Sequence, residues 1–233
     1  MILELNIIKE KKQLLEEVVN RLGLIQKETI LCAYDITIEA LRNHNELYYE
    51  KIKEVEEPQS SHHAQRIVDE IINELGHAPA YIFLLNFDDL SKQNKNHLFG
   101  GNYERPCVDQ YLTQLNEAGR IDLKKIAKED LAIILNNQGK IIATNVKLVG
   151  VNPQDIYPNC AEEKKLIKKF GFKTHPNARH YSSIGASYHI PDSFPLVLGE
   201  GGNIRGFYAG RIVYSTIDKE IKKVYENLRE LKK

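Results

Sequence analysis

Arg179 and His180 head the stretch from Asn177 to Arg211, and six of the chain's 14 glycines lie between Gly185 and Gly210. An arginine beside an imidazole at the start of a helix-like segment offers donors to phosphate oxygens, and dense glycine lets backbone amides approach a ligand closely. Ser182 and Ser183 are placed to cap that helix. Taken alone, Asp130, just ahead of a strand-like run, reads as a cap or a solvated turn, and Glu200, in the turn Gly199-Glu200-Gly201-Gly202, as an exposed turn residue. The pattern predicts a phosphate-bearing ligand. His62, His63, His175 and His189 show no ligand-like spacing, and Lys164, Lys165, Lys168 and Lys169 read as a solvated helix face.

The elements that must position these residues are legible in part. Leu14, Leu15, Val18, Val19 and Leu22 fall at helical spacing from Lys9 to Leu22, with Gly23 as a stop. Residues 30–57 follow, opening on ILCAYDITIEAL, which suits a strand or a buried helix, and continuing as helix until Pro58. PAYIFLLNF reads as a buried strand, and Val108 to Ala118 as a helix stopped by Gly119. Leu131 to Leu135 and Lys140 to Val146 flank a turn of hairpin length, Asn136 to Gly139. Ala161 to Phe170 is helix-like. Strands are expected around residues 196–198, 204–208 and 211–214, and Asp218 to Lys233 reads as a charged terminal helix. Strands and helices so interleaved predict an α/β (α+β) fold with a mixed β-sheet flanked by helices.

The order of these motifs resembles the diadenylate cyclase domain. NARHYSSIGAS followed by LVLGEGGNIRGFYAGRI is similar to that family's GTRHR, a helix beginning AALGLSE, and a strand running into SEETG. Asp130-Leu131-Ala132 stands where the family has Asp-Gly-Ala. The resemblance spans residues 76–214, and it divides the chain into an N-terminal helical region (1–75), a nucleotide-binding domain (76–214) and a C-terminal helix (215–233). It implies ATP as ligand, Mg or Mn as divalent ion, and cyclic di-AMP as product. It implies catalytic roles for Asp130, Arg179 and His180, with Asp130 and His180 at the metal. Nucleotide contacts are implied for Leu131, Ala132, Asn177, Ala178, Tyr181, Gly199, Glu200 and Gly201. Because the family's reaction needs two sites face to face, a homo-oligomer is implied as well.

Three departures bear on activity. Leu131 replaces the glycine, Tyr181 replaces the second arginine of Arg-His-Arg, and Val149 to Pro176 forms a longer connection than the family carries. These substitutions set a second expectation beside the enzyme, an adenine-nucleotide sensor that keeps the pocket without the chemistry; a third is a helical interaction protein built on an α/β scaffold. Lys plus Arg and Asp plus Glu each number 32, so no global field points to nucleic acid. Cys32, Cys107 and Cys160 are too dispersed for a disulfide framework. No apolar run approaches the ~18 residues of a membrane span, and a cytoplasmic location is expected.

Overall fold

The computed structural model describes residues 5–53, 65–66, 69–70, 79–88, 92–126, 131–160, 162–199 and 202–231. Asp130, Glu200, Gly201, His62, His63 and most of the expected linker at 58–75 lie outside them. The described residues form a seven-stranded mixed sheet covered by helices, an α/β architecture. The helices α1 (Leu5–Leu22) and α2 (Lys27–Lys53) come first. The strands are β1 (Tyr81–Phe87), β2 (Leu98–Asn102), β3 (Ala132–Asn136), β4 (Ile141–Leu148), β5 (Phe194–Leu198), β6 (Ile204–Tyr208) and β7 (Arg211–Ser215). Between them run the helices α3 (Lys92–Lys95), α4 (Glu117–Ile126), α5 (Glu163–Phe170) and α6 (Ala178–His189), and α7 (Asp218–Glu230) follows.

Across the sheet the order is β2-β4-β3-β1-β5-β6-β7, with β1 and β3 parallel and every other neighbouring pair antiparallel. Strand alternation sorts side chains to two faces. On β6, Arg205 meets His180 of α6 and Phe207 meets Phe172. Gly206 between them faces the other way, where an added Cβ would lie 2.8 Å from the Phe194 ring. Tyr214 shares that second face and meets Tyr34 of α2. Helix α6 therefore covers one face, and α1 and α2 cover the other.

The apolar stripe of α1 is spent on this packing. Leu15, Val18 and Val19 are fully buried in one cluster with Tyr34, Ile36 and the strand residues, each worth about 1.5–3 kcal/mol relative to exposure. ILCAYDITIEAL is helix, settled by the sheet beneath it: Ile30, Ala33 and Tyr34 reach the core together at spacings of three and four. Gly23 ends α1 at φ +65°, as the stop signal required.

One expectation is corrected. Val108 to Ala118 is not a helix: Tyr111 makes a bridge to Lys140, Leu112 to Gln114 form one 3-10 turn, and α4 starts at Glu117 and runs through Gly119. Asn116 starts it by accepting from the Gly119 amide at 2.9 Å, a cap that outweighs the stop read into Gly119. The strand β2 was not foreseen, since Gly100 and Gly101 break any β pattern; both have positive φ. The hairpin at Asn136 to Gly139 is as read, with the Asn136 side-chain oxygen accepting from the amides of Gln138 and Lys140. Among the described residues no helix is long and apolar enough to cross a membrane.

Candidate functional site

One end of the sheet gathers most of the predicted residues that the structure describes. There β1 and β3 begin and β4 and β5 end: Tyr81 pairs with Leu198, Ile82 with Ala132, and Leu98 with Leu148. Leu131 precedes β3 at this end and Gly199 follows β5. Helix α6 starts beside them, because a Cβ added to Gly199 would sit 3.1 Å from the His180 ring.

The start of α6 differs from the expectation. Arg179 and His180 are inside its first turn rather than ahead of it, and the cap is Asn177 in place of Ser182 or Ser183. The Asn177 side-chain oxygen accepts from the His180 amide at 3.4 Å and lies 2.6 Å from His180 Nδ1. An asparagine oxygen reaches the third helical amide, whereas serines five and six residues further on fall within the helix. At 100° per residue, the two halves of Arg179-His180-Tyr181-Ser182 then separate onto different faces.

Arg179 and His180 are on the buried face, at 5% and 3% exposure. His180 Nε2 is 2.8 Å from Arg205 Nη1. A guanidinium only donates, so Nε2 accepts, Nδ1 carries the proton, and that proton goes to the Asn177 side-chain oxygen. The Asn177 amide at 3.2 Å from the same Nδ1 is then a close approach and not a second bond. Burial, and after it the positive charges of Arg205 and Arg179, push His180 down to about 3, which keeps the ring neutral.

Arg205 itself is 1% exposed and Glu220, on the first turn of α7, is fully buried. They form a two-pronged pair, Nε to Oε2 at 2.9 Å and Nη2 to Oε1 at 2.8 Å. Thr174 Oγ1 accepts from Nη2, and the guanidinium lies over the Phe172 ring at 5.2 Å. The carboxylate also accepts from Ser215 Oγ at 2.7 Å and the Lys173 amide at 2.8 Å. Burial alone would raise Glu220, but the bonds and charge of Arg205, with the Lys173 and Ser215 donors, hold it below the usual carboxylate range. Neither Arg205 nor Glu220 was singled out from the sequence. The available signal was an arginine at an inward position between Ile204 and Phe207.

On the other face, Ala178, Tyr181 and Ser182 line a cleft of about 610 Å³, within the usual size of small-molecule sites. Its opposite wall is Leu148 and residues 150–154, with Glu163 and Leu166 of α5 at the side. Asn152 stabilises the 3-10 turn at residues 153–156 by accepting from the Gln154 amide, and His189 pairs with Asp155 at 3.0 Å to hold that turn against the end of α6. Gly185 lets the wall and helix meet: a Cβ there would lie 2.0 Å from the Val151 carbonyl oxygen. Tyr181 donates to Glu163 Oε1 at 3.2 Å, and burial together with the Glu163 charge pushes its phenol up to about 12.

Leu131, Ala132, Asn177, Ala178, Tyr181 and Gly199 are thus brought to one sheet end, on two sides of α6, while Asp130, Glu200 and Gly201 lie outside the described residues. Among the described residues no three His, Cys, Asp or Glu side chains converge as a metal site. His180, with Nε2 accepting and Nδ1 donating, has no lone pair for a cation in this arrangement. Comparison with protein-family models, with curated proteins and with solved structures gives no match.

Proposed function

We propose that this chain is a diadenylate cyclase-like protein that binds ATP and joins two ATP molecules into cyclic di-AMP. The supporting observation is the cleft at the first turn of α6, which Ala178 and Tyr181 line at the sheet end shared by Leu131 and Gly199. In each half-reaction a ribose 3′-oxygen attacks the α-phosphorus of the facing ATP, its proton passes to Asp130, and pyrophosphate leaves. Two half-reactions close the ring, so the active species is a homo-oligomer with paired sites. A divalent ion, Mg or Mn, supplies charge neutralisation on the triphosphate; because His180 has no free lone pair, Asp130 remains the chain's candidate to meet it.

Within this reading the chain's own residues do identifiable work. The first turn of α6 presents backbone N–H groups and the positive end of its dipole to phosphate. His180 acts indirectly, as a neutral spacer that holds Asn177 and hence the helix start in place. The sensor reading rests on two observations, Leu131 at the sheet end and the bond from Arg205 that occupies His180.

The test is calorimetry of ATP and adenosine binding, followed by product identification by mass with Mg²⁺ or Mn²⁺. ATP is expected to bind more tightly than adenosine, because the first turn of α6 offers its backbone amides to the phosphates. Asp130→Asn is expected to abolish cyclic di-AMP while sparing binding, and Leu131→Gly to increase product. ATP binding with no cyclic dinucleotide from the wild type or from Leu131→Gly leaves the sensor; no adenine-nucleotide binding defeats both readings.

A further inference from the structure

The connection from Val149 to Pro176, which the resemblance does not absorb, is the part of the chain that walls the cleft. Residues 150–154 form one side, and Glu163 and Leu166 of α5 form another. The character of this lining is specific. Leu148, Val151 and Leu166 are apolar and buried, Asn152 and Gln154 contribute amides, and Ser182 contributes a hydroxyl. Glu163 is the one charged residue among the described lining residues. A triphosphate inside such walls would meet a carboxylate and no cation, which is unfavourable in a partly desolvated site.

An uncharged, flat, donor-bearing group has the opposite fit. Apolar walls take a base, and the carboxylate accepts from an amine or a hydroxyl, forming a charge-assisted bond of the stronger class. Glu163 is placed for this, since Tyr181 occupies Oε1 and fixes the carboxylate against α6. The phosphate-attracting element, the N-terminus of α6, is at the same cleft through Ala178. The cleft thus offers two chemically distinct features, a carboxylate and a helix N-terminus.

Resting on the nucleotide reading above, we infer that the cleft between α5 and α6 receives the nucleoside end of the ligand, with Glu163 accepting a hydrogen bond from it. The triphosphate then extends along the start of α6. The 149–176 connection becomes the specificity element: it selects a nucleoside that offers a donor to Glu163, either the exocyclic amine or a ribose hydroxyl. Both sources share the same chemistry, and analogues separate them.

The experiment is calorimetry on the full chain with adenosine, inosine, 2′-deoxyadenosine and ATP, for the wild type and for Glu163→Gln. Glu163 is exposed on the first turn of α5, so the variant is expected to fold as the wild type does, with circular dichroism as the check. Adenosine should bind the wild type, and Glu163→Gln should weaken adenosine and ATP by the same factor, at least tenfold. If the amine is the donor, inosine binds the wild type at least tenfold more weakly than adenosine, and the variant, whose amide can donate to the inosine oxygen, loses or reverses that preference. If the ribose is the donor, 2′-deoxyadenosine is the analogue that loses affinity. ATP bound equally by wild type and variant, or ATP bound with no detectable adenosine binding, overturns the inference and leaves the nucleotide reading standing. No binding of any adenine compound overturns both.

Discussion

His180 and Tyr181 are neighbours in sequence, yet they belong to two different environments on the two faces of α6. His180 joins a closed polar cluster in which Arg205, Glu220, Thr174 and Asn177 satisfy one another behind Phe172. Tyr181 faces an open cleft and donates a hydrogen bond to Glu163. The closed cluster serves stability, because its charged groups are buried and every prong of Glu220 is used. The open one has the unfilled volume and polar lining that a ligand needs. A polar motif read from sequence can therefore be half scaffold and half site.

The sharpest break in that comparison is Arg205→Met. It leaves the Glu220 carboxylate buried without its cation and is expected to cost about 3–5 kcal/mol in denaturant unfolding. Adding Glu220→Leu should recover part of the loss, since it removes the stranded charge but leaves the Lys173 amide and Ser215 hydroxyl without their acceptor. Failure of the single variant to destabilise would show that the cluster is not closed.

Next in size is Gly185→Ala on the opposite face. A Cβ 2.0 Å from the Val151 oxygen and 2.8 Å from its carbon meets backbone that must shift, at about 1–3 kcal/mol. Because the displaced segment is the cleft wall, ligand binding should weaken along with stability. Unchanged ligand affinity in a destabilised variant would separate the wall from the site.

The smallest effect, taken over the first pH unit below 6.5, is a pH dependence carried by His180. Its folded pKa of about 3 is below the ordinary 6.5, so the unfolded chain takes up the proton first as pH falls. The stabilisation is complete above pH 6.5 and is lost progressively from there down towards pH 3. Between pH 6.5 and 5.5 the loss is about 1 kcal/mol. Glu220, held low, adds a loss in the same direction only in the carboxylate range below it. His180→Gln, which keeps an acceptor for Arg205 without a titrating ring, should flatten the upper part of this slope. An identical slope in the variant would place the sensitivity elsewhere.

How much was legible follows from the range of the forces involved. Gly23 as a stop, the Asn136 to Gly139 turn and the buried strand β1 are local signals, and each stands where it was read. β2 was missed because its pairing with β4 supplies what its two glycines lack. Residues 108–118 misled because helical spacing of Val108, Leu112 and Leu115 arises equally from an irregular segment whose apolar side chains turn inward.

Local patterning by itself determined the class of fold, the apolar stripe of α1 and the concentration of phosphate-suited residues around Arg179 and His180, because propensity and periodicity act over a few residues. Tertiary structure alone decided which way those residues face. A helix that starts at Ala178 instead of after His180 rotates its side chains by about 100° per residue of difference, and Asn177 sets that start. Only the packed sheet then brings Arg205 and Glu220, far apart along the chain from His180, onto its buried side, and residues 150–154 onto its open one. Burial, charge pairing and empty volume are properties of the assembled layers, and they divided one sequence motif between the core and the cleft.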